Sequence, residues 1–245
     1  LIVGRTARIS MGGPNSGISH SIVMSLDLYC SFIDPASPDY GVDERTHDRE
    51  RNKTHAGMQI STGKRAPMEN VLVEDCRFRF CGLNTQNYGG VMRNVVFRRN
   101  TVIANNLFLH QRSPDVRNVY AIHVGSSDAK GTYQGKGVHC RDVTVRDNVI
   151  HGLESSGPMV RTGGGELFEN VAFANNRVQL PGLQQPLVQI GKLSGVKFEG
   201  NKYFSDGEAD ALFATGGRAD REELGFNDWV QKSGEAGARF EKSPF

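Results

Sequence analysis

VLVEDCRF from Val71, VVFRRNTV from Val95, VTVRDNVI from Val143, VAFANNRV from Val171 and VKFEGNKY from Val196 are five versions of one short theme. Apolar residues alternate, and one fixed place then holds Cys76, Asn100, Asn148, Asn176 or Asn201. Alternation with a period of two marks a strand that buries one face. The fixed places are separated by 24, 48, 28 and 25 residues. Repeats of this length, each carrying one short strand, predict a solenoid of stacked coils. The recurrent Asn predicts a column of amides hydrogen-bonded from coil to coil, as in other strand stacks.

A second motif recurs between these strands. It reads QISTG at 59–63, AIHVG at 121–125, MVRTG at 159–163, LVQIG at 187–191 and LFATG at 212–216. Each ends in Gly, which permits a sharp turn. Ile60, Ile122, Val160, Val188 and Phe213 form one column, and Thr62, Val124, Thr162, Ile190 and Thr215 another. Both are apolar or β-branched and are expected to face the core. The column between them holds Ser61, His123, Arg161, Gln189 and Ala214 and is expected to face outward. One further coil fits between Gly63 and Gly125, with Asn84–Tyr88 as its face strand.

Composition sets the outer bounds. A chain of 245 residues builds one substantial core. The 29 glycines suit an all-β chain rich in turns. A net charge of +2 carries no nucleic-acid footprint. No apolar run is long enough for a membrane span. The chain opens on Leu1 without a signal-peptide pattern, and the expectation is one β-helix domain over 1–245 that lacks its N-terminal part. Composition does not fix the oligomeric state.

Insertions cluster around one region. Residues 35–56, 104–118 and 126–141 flank the strands near His123, and long loops in a compact domain are often functional. The charged run Asp43–His55 reads as a solvated loop or as the lip of a groove. His110 is a second-rank candidate in the same region. The cysteines Cys30, Cys76, Cys81 and Cys140 lack metal-ligand spacing. Cys76 sits in the Asn slot and reads as a buried free thiol, with a Cys30–Cys76 bridge as the alternative. His47 and His55 have no carboxylate spacing to support a metal site. No clear Asp/Glu cluster for calcium lies on the face strands, so no cofactor is expected, and calcium (Ca²⁺) stays open as the alternative.

These strands resemble the right-handed parallel β-helix superfamily, the pectate-lyase-like fold. The N-V-x-F-x-x-N-x-V strands and the Gly-terminated face strands carry the resemblance. The tail Phe226–Phe245, FNDWVQKSGEAGARFEKSPF, resembles the closing segment of that superfamily: a short helix with Trp, a Gly-acidic turn and a final P-F. Gly225 or Asn227 would cap the helix start and Gly234 would stop it. The resemblance implies a C-terminal cap over 219–245, with Trp229 and Phe226 covering the open end. It also implies a secreted, cell-surface or periplasmic protein that handles polysaccharide. The polygalacturonase sets N-T-D, G-H-G and R-I-K are absent, as is the W-I-D-H stretch of the pectate lyases.

The fold hosts many activities, so the chemistry must come from the site. A lyase acting on a uronate polysaccharide needs a base and a cation beside the carboxylate. His123 is the candidate base and Arg161 the candidate cation, through its planar fork. Ser61 and Gln189 would extend the floor, and Lys64, Lys130, Lys192 and His110 would add contacts or positive field. Two other readings stay open. One is a non-catalytic glycan-binding or structural β-helix. The other is a glycoside hydrolase using loop carboxylates such as Asp43, Asp128 or Glu166.

Overall fold

The computed structural model describes residues 2–4, 8–11, 18–30, 36, 38, 57–62, 67–79, 82–87, 91–103, 121–125, 140–152, 158–163, 167–180, 186–206, 212–217 and 220–242. Three sheets contain the strands. Sheet A holds Ile2–Gly4, Asp27–Cys30, Arg77–Arg79, Thr101–Ile103, Val149–His151, Arg177–Gln179, Lys202–Phe204 and Arg239–Glu241. Sheet B holds Arg8–Met11, Gly57–Thr62, Gly82–Asn87, Ile122–Val124, Val160–Thr162, Val188–Ile190, Phe213–Thr215 and Glu222–Leu224. Sheet C holds Ile18–Met24, Met68–Glu74, Met92–Arg98, Cys140–Arg146, Phe168–Ala174 and Val196–Glu199. Through Phe213–Thr215 the chain visits A, B and C in rotation, and each strand pairs in parallel with its counterpart one coil on. Among the described residues the chain is all-β apart from one short helix, and the arrangement is consistent with a β-helix. The one antiparallel pair among the described strands joins Phe213–Thr215 to Glu222–Leu224 at the end of sheet B.

The inward faces follow from alternation. Sheet C buries Val71, Val73, Val95, Phe97, Val143, Val145, Val171, Phe173 and Phe198, with Val196 partly buried. Sheet B adds Ile60, Ile122, Val160, Val188 and Phe213. Sheet A completes the core with Leu28, Phe78, Val102, Ile150, Val178 and Tyr203. The sheet C strands begin earlier than the sequence theme. Met68, Met92, Cys140 and Phe168 are also buried, three residues before the first Val. A step of three breaks the period of two, so one residue must be absorbed as a bulge. Asn70, Asn94, Asp142 and Asn170 absorb it at φ between 52° and 55°. Asn and Asp tolerate that left-handed conformation better than other side chains. They also link between coils on the outside: Asn94 donates to Asn70 at 2.7 Å and Asn170 to Asp142 at 2.6 Å.

A second left-handed residue turns each coil from sheet C to sheet A. It is Asp75, Arg99, Asp147, Asn175 or Gly200. The Asn slot follows directly, and there the expected ladder forms. Asn100 donates its amide N–H and side-chain NH₂ to Asn148 Oδ1, both at 3.0 Å. Asn148 does the same to Asn176 at 3.1 and 2.9 Å, and Asn176 to Asn201 at 2.9 Å in both bonds. The remaining side-chain N–H of each donates to a backbone carbonyl of the preceding coil, as Asn148 does to Phe97 at 3.1 Å. The 48-residue gap is therefore one coil carrying a long insertion.

Cys76 opens the column as a buried free thiol, so the Cys30–Cys76 bridge is corrected. Its sulfur donates to Glu74 O at 3.2 Å, and burial pushes the thiol pKa up. Cys140 is also free and buried. Cys30 is placed by its strand alone, where it pairs with Gly4, and Cys81 lies outside the described residues.

The C-terminal segment closes the stack. Gly225 precedes the helix Phe226–Ser233, and Gly234 ends it in the left-handed region at φ 67°. Trp229 is fully buried and packs against Phe198 and Phe213, each 4.8 Å between ring centroids. Alternation gives a direct test of the phase. Ile150→Val is expected to cost about 1 kcal/mol, whereas Val149→Thr on the outer face should stay within about 0.5 kcal/mol. Urea midpoints of the two variants check this, and equal losses would reject the assigned faces.

Candidate functional site

Sheet B places the proposed pair. His123 and Arg161 are direct register partners on adjacent parallel strands, and Gln189 partners Arg161 on the next. Ala214 follows Gln189, and Glu223 follows Ala214. Residues flanking this column are buried: Ile122 and Val124, Val160 and Thr162, Val188 and Ile190. A strand that buries both neighbours turns the middle side chain to the opposite face.

The order of that column differs from the sequence reading on its other side. His123 pairs with Asn84, and Asn84 with Gln59. Ser61 pairs with Gln86, so it lies two residues farther along its strand than the His123 column. The cause is strand length. Gly57–Thr62 and Gly82–Asn87 have six residues each, against three in Ile122–Val124 and Val160–Thr162. Gln59, and not Ser61, therefore stands in the His123 column. A shift of two preserves the face, and Ile60 remains fully buried. The expected face strand Asn84–Tyr88 is Gly82–Asn87.

Exposure also differs. His123 is 6% exposed, Gln189 7% and Ala214 0%, with Arg161 half-buried. The open, solvated floor expected from the alternation is corrected: this column is largely covered. The inner Thr of one coil holds the turn of the next. Thr85 Oγ1 accepts from Gly125 N–H at 3.0 Å and donates to His123 O at 3.1 Å. Thr162 Oγ1 accepts from Gly191 N–H at 3.0 Å in the same way. This explains the Thr-Gly ending of the motif, since a hydroxyl there satisfies a buried turn amide.

His123 Nδ1 lies 2.9 Å from Thr85 O. A carbonyl only accepts, so Nδ1 carries the proton and Nε2 is the basic nitrogen of the neutral ring. Arg161 stands one strand away, about 4.8 Å along the stack. Register and alternation put the imidazole and the guanidinium on the same face of adjacent strands.

Of the remaining candidates, Lys192 is exposed one residue past Gly191. Ser61 is placed by its strand alone. Lys64, Lys130 and His110 lie outside the described residues, as do Asp43, His47, His55, Asp128 and Glu166. Among the described residues no three His, Cys, Asp or Glu side chains are grouped to hold a metal ion, and no helix is long and apolar enough to cross a membrane. Comparison of the chain with family models, curated proteins and solved structures returned no match.

Proposed function

We propose that the chain is a right-handed, pectate-lyase-like β-helix that acts on an acidic, uronate-containing polysaccharide as a lyase. The observation that carries this reading is the register pairing of His123 with Arg161, followed by Gln189. The reaction removes the proton on the carbon next to the uronate carboxylate. The electron pair then forms a carbon–carbon double bond as the glycosidic C–O bond breaks, and the departing oxygen takes up a proton. His123 Nε2 is suited to accept the first proton, because Thr85 O fixes the tautomer. Arg161 is suited to bind the carboxylate and stabilise the enolate that develops from it. Gln189 and Lys192 would position the neighbouring sugar. No metal or other cofactor is invoked, because Arg161 supplies the positive charge. A secreted or cell-surface location goes with such a substrate.

A second reading rests on a different observation. His123 is almost fully buried and one ring nitrogen is committed to a backbone carbonyl. That is also how a structural histidine is held, and the chain would then bind a glycan without cleaving it.

Incubation with alginate, pectate and glycosaminoglycans separates the readings. A lyase gives a rise in the ultraviolet absorbance of unsaturated uronates. His123→Ala is expected to lower that rate by about 10²–10⁴-fold, and Arg161→Lys by about 10²-fold. Full activity in both variants removes the assignment. New reducing ends without absorbance point to hydrolysis, and bound polymer of unchanged length points to the binding reading.

A further inference from the structure

Among the described residues, most charged side chains on the outside of the stack are compensated. Between coils of sheet C, Arg93 pairs with Glu69 and Arg141 with Glu169, each at 2.7 Å. Arg98 and Arg99 hold Glu74 at 2.5 and 2.8 Å, and the Arg98 hydrogen bond keeps that carboxyl below the usual range. On sheet A, Arg79 pairs with Asp27 at 3.1 Å.

One column breaks this rule. On the outer face of sheet A, Arg177, Lys202 and Arg239 are successive register partners on three adjacent strands. All three are exposed, and none forms an ion pair with a described residue. Like charges directly opposite one another in a sheet are destabilising. The next outward column on these coils holds Gln179, Phe204 and Glu241, so one carboxylate lies beside three cations. The Arg177 guanidinium sits 5.6 Å from the Phe204 ring centroid, which restrains it over an aromatic face.

We propose that this cationic ladder is a binding surface for an acidic polysaccharide with a carboxylate on each sugar, laid along the axis of the stack. The charges repeat once per coil, about 4.8 Å apart, a length comparable to one pyranose unit. Three successive uronates therefore meet three successive cations in register. A compact anion satisfies one of them, and a chain satisfies all three at once with little added entropic cost. The surface is separate from the His123 column on sheet B and stands whether or not that column is catalytic.

Fluorescence anisotropy of labelled galacturonate oligomers at low salt tests it. Affinity should rise steeply from the monomer to the trimer and then level off. The triple variant Arg177→Gln, Lys202→Gln, Arg239→Gln should lose at least about tenfold in affinity, each screened contact contributing a factor of a few. Its thermal midpoint should be unchanged or higher, because the repulsion is gone. Should the triple variant fold poorly, Lys202→Gln alone, at the centre of the ladder, should lose about threefold. Unchanged affinity in the folded variants overturns the proposal. Equal or tighter binding of single-stranded DNA of matched charge overturns the assignment to a polysaccharide.

Discussion

Glu235→Ala is expected to destabilise the protein by about 4 kcal/mol, at about 1–3 kcal/mol for each buried donor left without a partner. The side chain is 3% exposed, and its carboxylate accepts four hydrogen bonds. Oε1 takes the backbone N–H and the side-chain NH₂ of Asn201, at 3.1 and 2.7 Å. Oε2 takes the Tyr203 hydroxyl and the Trp229 indole N–H, both at 2.9 Å. The Asn ladder explains why a carboxylate stands there. Every rung needs an acceptor from the following coil, and the last rung is Asn201. Lys202 pairs with Arg239, so the next Asn slot falls on Ala238, whose methyl accepts nothing. Glu235, three residues before Ala238, fills the slot with oxygen. An acid is acceptor-only when ionised and suits a terminus that faces four donors. Glu235→Gln keeps the acceptor for Asn201 but turns an NH₂ toward Tyr203 and Trp229, and should lose about 1–2 kcal/mol. Urea denaturation ranks the three proteins. A loss below about 1 kcal/mol in the alanine variant would contradict the role assigned to this carboxylate.

Much of the stack is legible in the sequence because period two and one slot residue recur in it. Val95, Phe97 and Asn100 declare an inward, inward and ladder position, and so do their equivalents in the other repeats. The bulges at Asn70, Asn94, Asp142 and Asn170 are less visible. They sit one residue before each quoted theme, so the theme starts after the feature that breaks its period. The signal was an Asn or Asp ahead of each Val, and its left-handed backbone became evident only in three dimensions. Register across sheet B fails in the sequence for a related reason. The turn Gly is a landmark only while strands have equal length, and the six-residue strands shift it by two. Coverage of His123 lies beyond any periodic argument. Alternation says which face a side chain takes, but the exposure of that face depends on what folds over it. The cationic ladder, by contrast, was written in the repeats. Arg177 and Lys202 each follow their slot Asn directly, in NRV and NKY, and Arg239 stands at the same place in ARF.

The ladder and the proposed sites depend on each other through register. His123 and Arg161 meet because two coils align residue for residue, and the Lys202 column aligns in the same way. Two coils of sheet B are set by Thr–Gly bonds across the stack, and four successive corners hold the Asn ladder. A defect in the column should therefore disturb pairing on either side of it.

Asn148→Ala is the sharpest test of that dependence, with an expected loss of about 3–4 kcal/mol. Asn148 sits in the middle of the column and is 1% exposed. Removing its amide strips the acceptor from the backbone N–H and NH₂ of Asn100. It also strips a donor from Phe97 O and one of two donors from Asn176 Oδ1. Two buried N–H groups are then left without their acceptor, and a stranded donor costs more than a shared acceptor. Asn148→Asp separates the two halves of the role. The carboxylate keeps an acceptor for both Asn100 donors, but it repels Phe97 O and Asn176 Oδ1 at about 3 Å. It should be as damaging as alanine near neutral pH and recover part of the loss once protonated, because the acid then regains one donor. Stability of the two variants across an acid titration reads this out. If Asn148→Ala lost no more than an exposed residue such as Val149, the amides would be passengers on the stack, and the strand pairs alone would hold its register.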